Sequence, residues 1–279
     1  MLKRTITAVV IVLVMIPICL FSDTAVLAVA VALLSLLGVY EMLGCIGSRR
    51  HWVLSVPAYL IAAAFPLTVR LFPSQDIFFS TYLLVMFIYL VVLFAAGVFS
   101  HGKMDIEKIC TSYATVLYIV TSFVSLILLR DRSFGQYLFG MVVFGPWISD
   151  VFAYLCGRFF GRHKLIPDVS PKKTVEGAVG GVLFCALAAM LFGFILSRVD
   201  ENISSVTYLP LALAGAVISV VSQIGDLIAS FIKRKYGVKD YGILFPGHGG
   251  VLDRFDSILG VVPMLLLISE FSDFFMFFR

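Results

Sequence analysis

Charge is what this sequence has least of. Only 14% of its 279 residues are Asp, Glu, Lys or Arg, against 61% hydrophobic, and the mean hydropathy is +1.04. A water-soluble domain of this length has too little interior to hide so much apolar surface. Cysteine occurs five times, at Cys19, Cys45, Cys110, Cys156 and Cys185, mostly inside or beside apolar runs. No pair has metal-ligand spacing, so these read as small hydrophobes and argue against a structural zinc. The four histidines (His51, His101, His163, His248) fall on separate loops and build no zinc set either. Alternation of apolar and polar residues is missing from the long runs, which argues against a membrane β-barrel. There is no low-complexity tract, no internal repeat of inverted topology and no loop long enough for an extramembrane fold. The paired short segments broken by Gly or Pro that mark a transporter's binding site are absent too.

What the chain has instead is a succession of uncharged stretches, each near the ~20 residues that cross the hydrocarbon of a bilayer. About nine spans are expected, at roughly 5–22, 24–44, 53–71, 77–98, 110–129, 134–156, 175–197, 206–232 and 256–278. Backbone groups in lipid must be satisfied internally, so the walls are helices. The expected fold is an all-α, polytopic integral membrane bundle with a polar crevice facing the cytoplasm. Only Ser22 and Asp23 part the first two runs, which leaves open a helical hairpin or one broken element. The opening MLKRTITAVVIVLVMIPICLF has a basic start and an apolar core, as a signal peptide does. No small-x-small site follows it, and it reads as a span.

Lys and Arg divide unevenly between alternate loops: sixteen on one side, five on the other. The positive-inside rule then places the N-terminus and the loops at 157–174 and 233–255 in the cytoplasm, and the C-terminus outside. The net charge of +4 is modest, and no nucleic-acid partner is expected. Residues 1–133 read as a scaffold of spans and 134–279 as the catalytic membrane region.

Two loops hold more chemistry than topology requires. The run from Ser230 to Asp256 carries five cations (Lys233, Arg234, Lys235, Lys239, Arg254), three carboxylates (Asp240, Asp253, Asp256), His248 and five glycines, among them Gly249 and Gly250. Cations, carboxylates and exposed amides on a Gly-rich turn suit a phosphate ester with its metal ion. Intramembrane acids face an interior or water. Asp226 stands about 10 Å below the cytoplasmic boundary at ~1.5 Å per residue, with Gln223 and Ser230 on the same helix face. Asp150 stands at similar depth on a parallel span, so both can enter one crevice. Asp253 and Asp256 share a face if the last helix starts nearby. Asp226, Asp253 and Asp256 together are the expected Mg²⁺ ligands; the alternative is a structural set pairing Asp253 with Arg254 and Asp226 with Lys233. His248 either donates to a phosphate or packs the turn. In the 157–177 loop, Ser170-Pro171 reads as a turn, and Thr174 or Ser170 as the cap of the next helix. That puts Lys172 and Lys173 at a helix N-terminus, where amides and dipole favour an anion; a lipid-headgroup anchor is the alternative. Glu41, near the cytoplasmic end of its span, reads as reaching water. Glu270, beside Ser272 and Asp273, reads as a solvated outer end.

The pattern Ser230, Lys233-Arg234, Lys239-Asp240, Gly242, Pro246, His248-Gly249-Gly250, Asp253-Arg254, Asp256 resembles the signature of the phosphatidate cytidylyltransferases, or CDP-diacylglycerol synthases. Ser170 to Gly177 and Asp150 to Gly161 are similar to the bacterial branch. The resemblance covers about 150–256 by motif and the rest by hydropathy. It implies a helical enzyme of a bacterial inner membrane that joins CTP to phosphatidic acid, giving CDP-diacylglycerol and pyrophosphate. It implies a Mg²⁺ cofactor, a second, monovalent cation such as K⁺, and a homodimer. Asp226, Asp253, Asp256, Arg254 and Lys233 are then the catalytic group. Lys172, Lys173, Ser170, Arg234, Lys239, His248, Gly249, Gly250 and Asp150 are then substrate-binding. Two other classes stay open: a CTP-dependent transferase or kinase acting on another lipid phosphate or a polyprenol, and an ion-coupled transporter. Other lipid-enzyme motifs, DGx₂AR with later Asp or paired DxxxD, are absent.

Overall fold

The computed structural model describes residues 13–72, 74–100, 104–201, 203, 206–247 and 249–270. The fold is all-α. Helix α1 is described over 13–20. It is followed by α2 (Ala25–Ile46), α3 (Trp52–Thr68), α4 (Gln75–Phe99), α5 (Ile106–Arg130) and α6 (Gly135–Phe160). A two-stranded hairpin, β1 (Lys164–Ile166) and β2 (Ser170–Thr174), precedes α7 (Val175–Val199), α8 (Tyr208–Lys235) and α9 (Leu252–Glu270). Among the described residues, seven helices, α2 to α8, are long and apolar enough to cross a membrane. Helix α9 opens on Asp253, Arg254 and Asp256 and is described as far as Glu270. It also starts four residues earlier than the sequence suggests. The first half of the first expected span, and Ser272 and Asp273, lie outside the described residues.

The first two runs are separate helices. Residues 21–24 form the break. Thr24 caps α2 by accepting from the Val26 amide, and its hydroxyl donates to Phe21 O at 2.7 Å. Arg70 holds the break from the end of α3, donating to Thr24 O at 2.5 Å and Ser22 O at 3.0 Å.

The chain divides into two compact units. The first joins residues 1–128 with 235–255; the second joins 129–234 with 256–279. The signature loop therefore groups with the N-terminal spans, not with the neighbouring helices at 134 and beyond. Its ties are specific. Phe255 packs its ring on Phe123 at 5.8 Å, Lys235 pairs with Glu107 at 3.0 Å, and Leu252 fills the space before Gly38. Elsewhere in this unit Phe65, Phe78 and Tyr82 meet edge to face between α3 and α4, and the buried Tyr89 hydroxyl reaches Leu54 O at 3.0 Å.

In the second unit α6 and α7 pack with almost no side chain between them. A Cβ on Gly177 would meet Ala153 O at 2.5 Å, one on Gly157 the Thr174 hydroxyl at 2.7 Å, and one on Gly180 would overlap the Cys156 side chain. Small residues let helix backbones approach in lipid, where packing drives association. This seam fixes the mouth of α7 against the end of α6.

Candidate active site

In the second unit, three helices and the hairpin surround a cavity of about 260 Å³. Its wall includes Asp150, Tyr154 and Arg158 from α6, Lys172 and Lys173 from β2, and Gln223 from α8. The sequence puts the turn at Ser170-Pro171, but both residues are on a strand, and the turn lies at 167–169. Pro167-Asp168 is itself a turn pair, and Pro171 is tolerated because each strand of a two-stranded hairpin is an edge. Thr174 is the cap of α7, its hydroxyl accepting from the Gly177 amide at 3.2 Å. Ser170 is instead half-buried at the start of β2, paired with Ile166. Glu176, in the first turn of α7, grips the hairpin through His163 Nδ1 at 2.6 Å.

Lys172 and Lys173 do stand just before that helix, as the sequence suggests, and they diverge. Lys172 is exposed on the cavity wall. Lys173 reaches across to α8, with its amine 2.5 Å from Asp226 Oδ2 and 3.5 Å from Gln223 O. Asp150 lies within electrostatic reach of both Lys173 and Asp226. Two acids and one ammonium thus share the site. The expected polar face of α8 is present and extends inward. Gln223 donates to Ala178 O at 3.2 Å and to the Ser219 hydroxyl at 3.0 Å, and Ser219 meets Ser149 at 2.6 Å. Ser222, fully buried one turn before Asp226, has a hydroxyl with no partner among the described residues. At Gly225 the α8 backbone touches α9, where a Cβ would meet Asp256 O at 2.7 Å. Asp226 and Asp256 therefore sit on turns of two helices in backbone contact. Lys233 is half-buried and Arg234 exposed near the end of α8.

In the first unit, the loop ahead of α9 encloses an open basin of about 520 Å³, lined by Lys239, Asp240, Phe245, Gly247, Gly249 and Arg254 among others. Phe245 and Gly249 close the loop as a bridge, the Phe245 amide donating to Gly249 O at 2.8 Å. Gly247 and Gly249 have φ of 81° and 84°, where a side chain is strained. His248 lies outside the described residues. Asp253 is only 7% exposed, and its Oδ2 accepts from the amides of Tyr241 (2.8 Å) and Gly250 (2.9 Å). Lys239 and Arg254 are exposed.

Glu41 overturns its sequence reading. It is 5% exposed, not solvated. Its carboxylate accepts from the amides of Val251 and Leu252, each at 3.0 Å, at the start of α9. Ideal Cβ atoms on Gly242 or Gly250 would overlap it. A carboxylate accepting two amides at a helix start satisfies donors that the helix itself leaves without partners. Nothing near Glu41 in sequence signals this, since its partners are 210 and 211 residues away.

No three His, Cys, Asp or Glu side chains among the described residues gather into a metal-binding group. The hard oxygens of Asp226 and Asp256, with the orphan hydroxyl of Ser222 beside Asp226, fit a cation that takes its remaining ligands from elsewhere. Mg²⁺ is such a cation, bound through one or two carboxylates, waters and substrate phosphates.

The chain is thus a bundle of membrane-length helices whose cavity gathers two acids and two lysines. A family model, Cytidylyltransferase family, matches residues 2–272. A phosphatidate cytidylyltransferase of Staphylococcus haemolyticus is 32% identical over 265 residues, covering 95% of this chain and 97% of the relative. That of Staphylococcus aureus strain COL is 33% identical over 271 residues, with the same coverage. That of Staphylococcus saprophyticus is 38% identical over 177 residues, 63% of this chain and 65% of the relative. The chain belongs to the cytidylyltransferase family, and it is an integral membrane nucleotidyltransferase.

Proposed function

We propose that the protein transfers the cytidylyl group of CTP to phosphatidic acid, releasing CDP-diacylglycerol and pyrophosphate. The observation that carries this reading is the cavity where Asp150, Asp226 and Lys173 meet beside Lys172, in a chain whose relatives over nearly full length bear that name. An oxygen of the lipid phosphate bonds to the α-phosphorus of CTP as the bond to the bridging oxygen of pyrophosphate breaks. The nucleophile is already an anion at neutral pH, so no general base is required. The barrier is charge repulsion and alignment.

Lys172 and Lys173 hold a phosphate group at the mouth of α7. Lys239 and Arg254 hold phosphate in the basin of the signature loop, where charge on the α-phosphorus and leaving group peaks in the transition state. Lys233, Arg234 and Ser170 have supporting roles at the edges of these sites. Mg²⁺ held by Asp226 and Asp256 would supply Lewis acidity to the phosphoryl oxygens. Asp253, expected as a further ligand, has a second task in holding its own loop. A homodimer and a monovalent cation such as K⁺ belong to the same proposal. So does an orientation with both loops in the cytoplasm, supported by the sixteen-to-five division of cations.

Purified protein incubated with labelled CTP and phosphatidic acid, with and without Mg²⁺, tests the reaction. CDP-diacylglycerol should form only with the metal. Turnover on another lipid phosphate but not on phosphatidic acid would refute the acceptor. For orientation, Lys172→Cys and Tyr236→Cys in a background lacking the five native cysteines should resist an impermeant thiol reagent in intact cells and react in opened ones.

A further inference from the structure

Two carboxylates shape the signature loop, and only one of them belongs to the signature. Asp253 ties Tyr241 to Gly250 across the base of the loop. Glu41, from α2, takes the next two amides, Val251 and Leu252. It also fills the space that side chains at positions 242 and 250 would need. The amides at a helix N-terminus are a ready anion site. Here the protein's own carboxylate occupies it, so the start of α9 is closed to a substrate phosphate. The exposed cations Lys239 and Arg254 are what the basin offers instead.

We infer that Glu41 is a positioning residue for nucleotide transfer: it sets the conformation of the described residues between Tyr241 and Leu252 so that Lys239, Arg254, Gly247 and Gly249 line one basin. Glu41 is too buried to touch a substrate itself. Its side chain packs against Gly242, which is itself part of the basin wall with Lys239, Gly247, Gly249 and Arg254, and against Gly250. The glycines at 242 and 250 are explained by the same contact. Neither has the positive φ that requires glycine; what each lacks is room for a Cβ beside the carboxylate.

The kinetic part of this inference rests on the cytidylyl-transfer reading; the conformational part does not. Amide exchange measured on the full chain in lipid nanodiscs reads the conformational part. Glu41→Gln keeps the shape but offers one neutral acceptor where two charged oxygens served. Exchange should quicken within 241–252 and stay unchanged in α3, α4 and α7. Exchange that rises evenly along all helices would mean a general stability role and overturn the inference, as would no change at all.

Kinetics then test the contact with glycine. Gly250→Ala alone should lower kcat/KM for CTP on the order of tenfold, the loss expected when a charge-assisted hydrogen-bond set is disturbed. In a Glu41→Ala background the same substitution should cost less than about twofold, because the group it collides with is gone. Additive losses would overturn the inference. If the wild-type protein does not turn over CTP and phosphatidic acid at all, the functional reading fails while the exchange result still decides the role of Glu41.

Discussion

The cavity of the second unit and the basin of the first hold their polar groups in opposite ways. In the second unit the charged side chains face one another across a cavity: Lys173 bridges to Asp226, Asp150 stands by, and the backbone around them is ordinary helix and strand. In the first unit Asp253 and Glu41 turn into the loop, where they accept four backbone amides between them. A preformed helix terminus needs only a cap, here Thr174. A loop of glycines with two positive-φ turns has little intrinsic preference for one shape, and it is the buried acids that choose one. The comparison separates acids that meet a lysine across a cavity from acids that hold backbone amides.

Neutralising one acid of each kind should break the comparison open. Asp226→Asn is expected to have the largest effect, lowering kcat by on the order of 10²–10³-fold, as for removal of a group aimed at transition-state charge. Amide exchange in 241–252 should not change. Asp253→Asn should cost on the order of tenfold, because a neutral oxygen accepts the two amides less strongly, and exchange at Tyr241 and Gly250 should quicken. If Asp226→Asn loosened that loop, or Asp253→Asn left it as it was, the division would be wrong.

The cations sharpen the same contrast on a smaller scale. Arg254→Ala should lower kcat with little change in KM. Lys172→Ala combined with Lys173→Ala should mainly raise the KM of one substrate, roughly tenfold, since binding common to ground and transition states is lost. Steady-state kinetics in mixed micelles, varying CTP and lipid separately, distinguish these outcomes. An Arg254 variant with normal kcat and a raised KM would put both regions in one role. The smallest effect belongs to Glu270→Gln, at the far end of α9, which should stay within about twofold of wild type. A large loss there would mean that neither region is the site.

Much of the architecture was legible because lipid leaves so few options. The runs expected at 24–44, 53–71, 77–98, 110–129, 134–156, 175–197 and 206–232 coincide with α2 to α8 to within a few residues. Local chemistry was legible too: the Thr174 cap, the two lysines before α7, and the polar face of α8 all follow from spacing. What escaped was non-local. The lysine that meets Asp226 comes from β2, fifty-odd positions earlier, and not from Lys233, the partner in the alternative reading. The hairpin was hidden because Ser170-Pro171 is as plausible a turn as Pro167-Asp168. The segment 235–255 packs with α2 and α5, contacts that no spacing announces. Glu41 was misread because an acid near a span end usually does reach water, and its two amides are nearly the whole chain away.

That separation has a consequence for how the protein is made. Helix α2 leaves the ribosome carrying a carboxylate whose partners lie 210 residues downstream. At roughly 5–20 residues per second, synthesis needs about 10–40 s to supply them. For that interval the Glu41 carboxyl lacks the two amides it accepts from in the finished protein. A chain that stalls before Val251 never gains them. The loop that Glu41 organises is thus completed only after nearly the whole chain has been made.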